Sequence, residues 1–462
     1  MTVPVFAIVG HPNKGKSSIV STLSEDESVA ISPVPGTTVD NRHYPMAVDG
    51  ETLYELIDTP GFQRARVALE WMHNHAGSAV DRADTVRRFV DEHRDDPRFA
   101  AECHLLTPIL EGAGILYVVD GSRPFGDDYE AEMEILRWTG QPSLALINMI
   151  GDSDYSEDWN KALGQYFRIV RVFDALEADF DRRVQLLLAF GEIREAWRGA
   201  LEKAVRILRE EQARRRVLAA RGIAEMLARM ITHVRRHRLA PDEGIDDARN
   251  ELLQAYKQDL AVMEQRCRDE VEQIYNHRNL ERHEPRVQLL DDDLFSRQTW
   301  VLFGLTRQQL IATGALGGAA AGSVIDLAVH GTSLLLGSGL GAIAGGVSAW
   351  LTSDRLANIK VLGHPLGGKE ITIGPMRNIN FPYVVLGRAL LHQRMIEERT
   401  HAYRGPLEIA LQPVPSQLGD TASRHRFERL FSKLRKQETY RTDLVASLAT
   451  LIENLSRTRT AD

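Results

Sequence analysis

Cysteine is scarce in this sequence. Only two of the 462 residues are cysteines, Cys103 and Cys267, and no other potential ligands surround them at the spacing of a metal site. The sequence therefore excludes a disulfide scaffold and a cysteine-based zinc site, and it favours a reducing compartment such as the cytosol.

Positive charge is also limited. Lys and Arg total 56 against 64 Asp and Glu, a net charge of −8. This balance argues against a dedicated nucleic-acid-binding protein, so we do not expect a nucleic-acid partner, although a local basic patch remains compatible with it. The first basic residue is Lys14. Because a signal peptide needs a basic region before its apolar stretch, we predict that the start of this chain is a buried strand.

The first third of the chain alternates between short apolar runs and helical patterns. This alternation is typical of an α/β domain with a mostly parallel sheet and helices on both faces. We place this domain at residues 1–176. The apolar runs lie at residues 3–9, 52–57, 114–119, 143–147 and 167–173.

The remaining chain is predicted to be mainly α-helical. Residues 62–111 are interpreted as a helical insertion within the first domain. Residues 177–300 have the Arg, Glu, Leu and Ala periodicity of a long-helix bundle or stalk, broken near Pro241. A glycine-rich hydrophobic hairpin is predicted at 301–356, and a small α+β region with a C-terminal helix at 357–462.

Two basic runs lie in the predicted stalk, at residues 214–216 and 235–238. Charge runs on helices are usually solvated faces, although contact with acidic lipids or RNA is an alternative. His233 and His237 are four residues apart on the predicted helix, but no third ligand accompanies them. We therefore expect a surface face there and not a metal site.

Residues 10–17 match the phosphate-binding pattern G-x(4)-G-K-[ST], between a predicted strand and a predicted helix. The glycines Gly10 and Gly15 let backbone N–H groups surround phosphate oxygens, and the helix N-terminus favours an anion. We expect Lys16 to neutralise the β- and γ-phosphates and the Ser17 hydroxyl to bind Mg²⁺. Asn13, Lys14 and Ser18 complete this part of the predicted nucleotide site.

Two further motifs follow in order. Asp58 ends a predicted strand, so its carboxylate can reach the magnesium shell, and the Gly61 amide is placed to sense a γ-phosphate. Between them and the phosphate loop lies the sequence PGTT, in which Thr38 is the best candidate to close over the phosphate and Mg²⁺. We therefore assign Lys16, Thr38 and Gly61 to catalysis and Ser17, Thr38 and Asp58 to the metal.

The strings GHPNKGKS, PGTT and DTPGF together resemble the Era/TrmE branch of bacterial GTPases. The resemblance implies GTP and GDP as ligands, Mg²⁺ as cofactor, and a potassium ion at Asn13 that replaces an arginine finger. Phe62 stands where Ras-like proteins have their water-orienting glutamine. Since a phenyl ring cannot orient water, we expect slow intrinsic turnover that needs an ion, a protein partner or a homodimer.

The guanine-reading motif departs from that branch, whose pattern is Asn-Lys-x-Asp. Here Asn148 is followed by Met149, and Gly151 occupies the aspartate position. Asp152, one residue later, either contacts the guanine through a distorted loop or leaves the discriminating carboxylate missing. Ala175 matches the central alanine of the family's Ser-Ala-Lys motif.

Residues 310–351 contain no Lys or Arg, and their glycines recur every four residues in two blocks. Each half approaches the length of a membrane span, which predicts a hairpin in contact with lipid and a location on the cytoplasmic side of the inner membrane. The alternative is a tight two-helix hairpin inside a soluble domain, which would place the protein in the cytoplasm.

The strings LINMIG and IGPMRNINFPYVVLGRALLH also resemble a bacterial family in which an Era-like GTPase is fused to a C-terminal domain of unknown function. Our first hypothesis is a membrane-associated GTPase switch or membrane-remodelling GTPase. The alternatives are a soluble assembly factor that acts on RNA or ribosomes, and a nucleotide-bound scaffold with low activity.

Overall fold

A computed structural model describes residues 3–29, 31, 40–126, 128–240, 244–277, 350–351, 360–361, 364–365, 370–376, 378, 380–403, 421–436 and 442–457. The chain divides into two compact units. The first consists of Met1–Ala213 with Asn276–Leu280 and Glu398–Gly405, and the second of Arg214–Tyr275, Glu281–Glu397 and Pro406–Asp462.

The first unit is built on a six-stranded sheet with the order β2-β3-β1-β4-β5-β6. Strand β2 is antiparallel to β3, and the other pairs are parallel, which confirms the predicted mostly parallel α/β fold. The strands are β1 (Val5–Val9), β2 (Arg42–Val48), β3 (Glu51–Asp58), β4 (Gly114–Asp120), β5 (Ser143–Asn148) and β6 (Val170–Val172).

Helices cover both faces of this sheet, and each face has its own hydrophobic core. Alternate residues of the buried strands point to opposite faces, so Phe6 belongs to one core and Ala7 to the other. The helices are α1 (Lys16–Ser24), α2 (Ala65–His75), α3 (Arg82–His93), α4 (Ala100–Leu110), α5 (Asp128–Trp138), α6 (Ser156–Leu163), α7 (Phe180–Ile193) and α8 (Glu195–Thr232).

The first unit extends past the boundary that we placed at residue 176. Helix α7 and the start of α8 pack on the sheet: the ring centroid of Phe6 lies 4.0 Å from that of Phe190 and 5.1 Å from that of Trp197. Burial of these aromatic rings explains why the unit continues to Ala213.

Residues 62–111 contain helices α2, α3 and α4. Their buried side chains, among them Met72, Phe89 and Leu106, share one core with Val9 of β1 and Tyr117 of β4. These helices are therefore integral to the sheet domain.

The second unit is mainly helical with small antiparallel sheets, as predicted for the C-terminal region. One sheet has the order β7-β11-β8, and β9 pairs with β10. The elements are β7 (Arg235–Arg238), α9 (Ile245–Ile274), β8 (Trp350–Leu351), β9 (Lys360–Val361), β10 (His364–Pro365), β11 (Glu370–Ile373), α10 (Phe381–Glu398), α11 (Thr421–Arg435) and α12 (Thr442–Arg457).

The helical prediction for residues 233–238 is wrong. Helix α8 ends at Thr232, and the basic run forms strand β7, whose residues pair with β11. His233 Nε2 lies 2.7 Å from Asp259 Oδ2. No group of three or more His, Cys, Asp or Glu suited to a metal ion occurs among the described residues.

The predicted glycine-rich hairpin at 301–356 lies outside the described residues, except for Trp350 and Leu351 of β8. Among the helices in the described ranges, none combines the length and the apolar character that crossing a bilayer requires.

Candidate nucleotide site

The loop between β1 and α1 has a backbone that only small residues tolerate. Gly10 has φ +140° and Gly15 has φ +77°, both in the region that favours glycine. A Cβ atom on Gly10 would lie 2.3 Å from the carbonyl oxygen of Val118, so a side chain there would displace β4. Asn13, with φ 60°, is exposed at the tip of the loop.

Lys16 is buried at the first turn of α1. Its Nζ donates hydrogen bonds of 3.1 Å to the carbonyl oxygens of Gly10 and His11, which hold it across the loop. Burial lowers the pKa of Lys16 to about 8, and the negative charges of Asp58 and Glu132 oppose this shift in part. The loop thus presents a desolvated cation that a phosphate would stabilise in its protonated form.

Ser17 and Asp58, which the sequence assigns to magnesium, lie in direct contact. The Ser17 hydroxyl donates a 2.9 Å hydrogen bond to Asp58 Oδ2. Asp58 is the last residue of β3 and is 2% exposed. A hydroxyl and a carboxylate at this separation fit the oxygen ligands that Mg²⁺ prefers. Ser18, which we included with the loop, is half-buried on α1.

Gly61 lies against the phosphate loop. A Cβ atom on it would be 2.6 Å from the backbone nitrogen of Pro12. Phe62 points the other way: it is 1% exposed and belongs to the core formed with α2–α4. The ring therefore anchors this segment and leaves the water-orienting position without a polar side chain. Thr38, the remaining catalytic candidate, lies outside the described residues.

Asn148 joins two loops of the site. Its Nδ2 donates to the carbonyl oxygen of Lys14 at 3.2 Å, and its Oδ1 accepts from the backbone N–H of Ala175 at 3.2 Å. Asn148 is 3% exposed, and both polar atoms of its amide make contacts within the protein. Its role in this structure is to fix the phosphate loop to the loop after β6.

The loops at the predicted base-binding end of the site carry fewer polar side chains than the Asn-Lys-x-Asp pattern of the family would supply. Asp152 is exposed, and within the described residues no hydrogen bond or ion pair holds its carboxylate. Ile150 and Leu176 are 47% and 42% exposed at the loops that follow β5 and β6. The structure therefore brings Asn148 and Ala175 together, and it leaves Asp152 exposed in the loop after β5.

Sequence interpretation missed two acidic residues beside the phosphate loop. Lys14 Nζ lies 3.6 Å from Asp120 Oδ2, with both side chains about 95% buried. Burial lowers the pKa of Lys14, and Asp120 partly restores it. His11 Nδ1 lies 2.9 Å from Glu132 Oε1, and burial raises the pKa of Glu132. Asp120 could have been recognised in the sequence by its position at the carboxyl end of the buried strand β4. Nothing in the sequence distinguishes Glu132 from the other acidic residues of α5.

Two family profiles match this chain. Residues 5–149 match MMR_HSR1, described as 50S ribosome-binding GTPase, and residues 160–453 match DUF3482, a domain of unknown function. The second match covers more than half of the chain. This chain belongs to the DUF3482 family. Its N-terminal domain is a P-loop GTPase domain, as the Era-like motifs predicted.

The DUF3482 protein is also similar to several GTPases named Der. It is 31% identical over 154 residues to Der of Nitrosomonas europaea, which is 32% of each chain. It is 27% identical over 155 residues to Der of Burkholderia ambifaria, 33% of this chain and 28% of that protein. The match spans about a third of the length of these relatives.

Among solved structures, this chain is similar to Aquifex aeolicus Era bound to GDP and AlF4⁻. The two are 18% identical, the match covers 59% of this chain and 90% of that chain, and the TM-score is 0.29. It is also similar to S. thermophilus NFeoB bound to GDP, AlF4⁻ and K⁺, with 18% identity, 59% and 89% covered, and a TM-score of 0.27. At these TM-scores the likeness supports no conclusion about function.

Proposed function

We propose that the N-terminal domain binds GTP with Mg²⁺ and hydrolyses it to GDP and phosphate. The observation that carries this proposal is the contact between Ser17 and Asp58 beside the buried ammonium group of Lys16. The hydroxyl and the cation on the first turn of α1, with the carboxylate at the end of β3, form a set of groups that phosphoryl transfer uses.

Each of these groups has a defined task in this proposal. Lys16 neutralises the β- and γ-phosphate oxygens, and Ser17 and Asp58 hold the metal ion, which supplies charge stabilisation for the transferred phosphoryl group. The Gly61 N–H donates to a γ-phosphate oxygen, and Thr38 closes over the phosphate and Mg²⁺. Little covalent chemistry falls to the protein, so catalysis depends on positioning and charge.

Hydrolysis is expected to be slow without help. Phe62 is packed in the core, so no side chain at that position orients the attacking water. Asn13 is exposed at the loop tip, where its amide oxygen could coordinate potassium. We expect Asn13→Ala to abolish any difference in turnover between potassium and sodium buffers; equal turnover of the wild-type protein in both would refute the potassium role.

The Asn148 amide joins two loops of the site and keeps a second N–H and a second oxygen lone pair for a base. We propose that GTP is the substrate and that Asp152 supplies the selecting carboxylate. Competition of ATP against a labelled GDP analogue tests this assignment, with Asp152→Ala as the variant and Asp154→Ala, also exposed, as the matched control. If ATP competes as well as GTP with the wild-type protein, guanine selectivity is refuted.

The test of the phosphate site is Lys16→Ala. Loss of the cation should weaken triphosphate binding at least a hundredfold, because a charge-assisted contact contributes about 3 kcal/mol or more at a buried site. Lys203→Ala, an exposed lysine of the same unit, is the matched control. Unchanged affinity of the Lys16 variant would overturn the site assignment.

We further propose that the protein associates with a membrane through residues 310–351. The sequence supports this by its lack of Lys and Arg there. Strand β8 is formed by the last two residues of this segment and is hydrogen-bonded to β11, which pairs with the basic strand β7. Trp350 and Arg236 pair with the same residue of β11, Thr372, so two strand spacings, about 10 Å, separate the end of the apolar segment from a basic side chain suited to anionic headgroups.

Alkaline carbonate extraction of the membrane fraction tests this second proposal. The full chain should stay in the extracted pellet, and a chain without residues 312–347 should be released. A full chain that is released in the same way would refute membrane insertion. Recovery of the full chain with 50S ribosomal subunits, dependent on GTP, would favour the assembly-factor hypothesis, which the description of the matched GTPase family supports.

A further inference from the structure

Helix α4 contacts the start of α2 through a buried carboxylate. Glu102 Oε1 accepts hydrogen bonds from the backbone N–H groups of Gln63 at 2.7 Å and Arg64 at 2.5 Å. Glu102 is fully buried, and no side chain of α2 itself caps this helix. This carboxylate satisfies the N–H of the N-cap residue Arg64 and that of Gln63 before it, and a negative charge at this end of α2 interacts favourably with the helix dipole.

The same helix contacts the segment before β2 through a backbone carbonyl group. Asn41 Nδ2 donates a 2.8 Å hydrogen bond to the carbonyl oxygen of His104. That oxygen would normally accept from the N–H of residue 108, four positions later, but residue 108 is proline and has no N–H. Pro108 therefore leaves one acceptor on α4 open, and Asn41 occupies it.

These two contacts lie close in sequence to the groups proposed to sense the γ-phosphate. Gln63 is two residues after Gly61, and Asn41 is three residues after Thr38. Their acceptors, on Glu102 and His104, are two residues apart on one helix. Helix α4 is in turn fixed on the sheet, since four of its residues are buried in the core with β1 and β4: Cys103, Leu105, Leu106 and Ile109.

We propose that α4 couples the two γ-phosphate-sensing segments, with Asn41 and Glu102 as positioning residues for GTP hydrolysis. This inference rests on the proposed GTPase activity. The two contacts hold the backbone at Asn41 and at Gln63 to the same helix, so a displacement at one contact is transmitted through α4 to the other. Neither residue touches the nucleotide; each acts through the backbone that it holds.

The test compares Asn41→Ala and Glu102→Ala with Glu102→Gln, which keeps the accepting oxygen. The control is Glu111→Gln, an exposed carboxylate at the end of α4. Both alanine variants should lower kcat about tenfold to hundredfold, the loss expected when reacting groups shift by about an ångström. The affinity for GDP should change less than about twofold, and Glu102→Gln should recover most of the activity.

Pro108→Ala is an independent variant that leaves both positioning side chains in place. It supplies an N–H that competes for the His104 carbonyl group, so we expect it to reproduce the loss of kcat expected for Asn41→Ala.

The double variant Asn41→Ala/Glu102→Ala should lose less activity than the product of the two single losses, because both contacts serve one arrangement.

A second readout separates this inference from the function on which it rests. The ratio of the affinities for a non-hydrolysable GTP analogue and for GDP should fall in each alanine variant, because only the analogue carries a γ-phosphate. A wild-type protein without GTP turnover refutes the proposed function, and the affinity ratio then still tests the coupling. If the wild-type protein hydrolyses GTP but the variants keep the same kcat and the same ratio of analogue affinity to GDP affinity, the coupling is refuted and the proposed function is not.

Discussion

The buried ammonium group of Lys16 makes nucleotide affinity depend on pH. Burial lowers its pKa to about 8 in the free protein. Phosphate oxygens beside the ammonium group favour its protonated form and raise the pKa again. Binding therefore takes up a proton wherever Lys16 is partly neutral, so affinity is fully present below pH 8 and is lost as the pH rises through 8.

The size of this effect follows from the free pKa. If the bound form stays protonated, the dissociation constant scales as one plus ten to the power of the difference between pH and pKa. The dissociation constant should therefore rise about tenfold between about pH 7 and about pH 9, which is a loss of about 1.4 kcal/mol of binding free energy. At about pH 8, roughly half a proton should be taken up for each nucleotide bound.

Calorimetric titration with GDP measures both quantities when it is repeated in buffers of different ionisation enthalpy. The matched variant is Lys14→Met: burial also lowers the pKa of Lys14, but its ammonium group faces Asp120. The pH dependence should persist in this variant and should disappear in Lys16→Arg, because arginine keeps its charge throughout this range. An affinity that is constant from about pH 7 to about pH 9 in the wild-type protein would refute the reasoning.

Three substitutions test the rest of the site. Gly61→Ala places a Cβ atom 2.6 Å from the Pro12 nitrogen, so steady-state GTP turnover should be lost while GDP binding, measured by fluorescence, is retained. Phe62→Ala should lower the free energy of unfolding by about 3–5 kcal/mol in a denaturant titration, because the ring is buried in the core. Asn148→Ala leaves two buried backbone groups unpaired, and GDP affinity should fall about tenfold to hundredfold in the same fluorescence titration.

The parts of the site that lie in one continuous motif could be predicted from the sequence. Residues 10–17 indicate the loop conformation locally, because Gly10 and Gly15 supply positive φ angles that the turn requires. Asp58 was predictable because it ends a strand that neighbours β1 in a parallel sheet, where carboxyl ends of strands converge.

Strands β2 and β7 were not predicted, each for its own physical reason. Strand β2 is an edge strand in which Tyr44, Met46 and Val48 alternate with exposed residues, but Pro45 in its middle argues against a strand and obscured this pattern. Strand β7 consists of three arginines and a histidine, and it follows a 38-residue helix rich in the same residues. Its strand conformation depends on pairing with β11, more than 130 residues later in the chain.

The contacts of α4 show why the coupling between the two loops was not predictable either. Glu102 in a helical stretch resembles any other acidic residue, and its function arises only because the α2 N-terminus folds against it. Pro108 gave a local signal, since a proline inside a helix always leaves the carbonyl group four residues earlier without its partner. The sequence could thus indicate an open acceptor on His104, but only the tertiary structure identifies Asn41 as its donor.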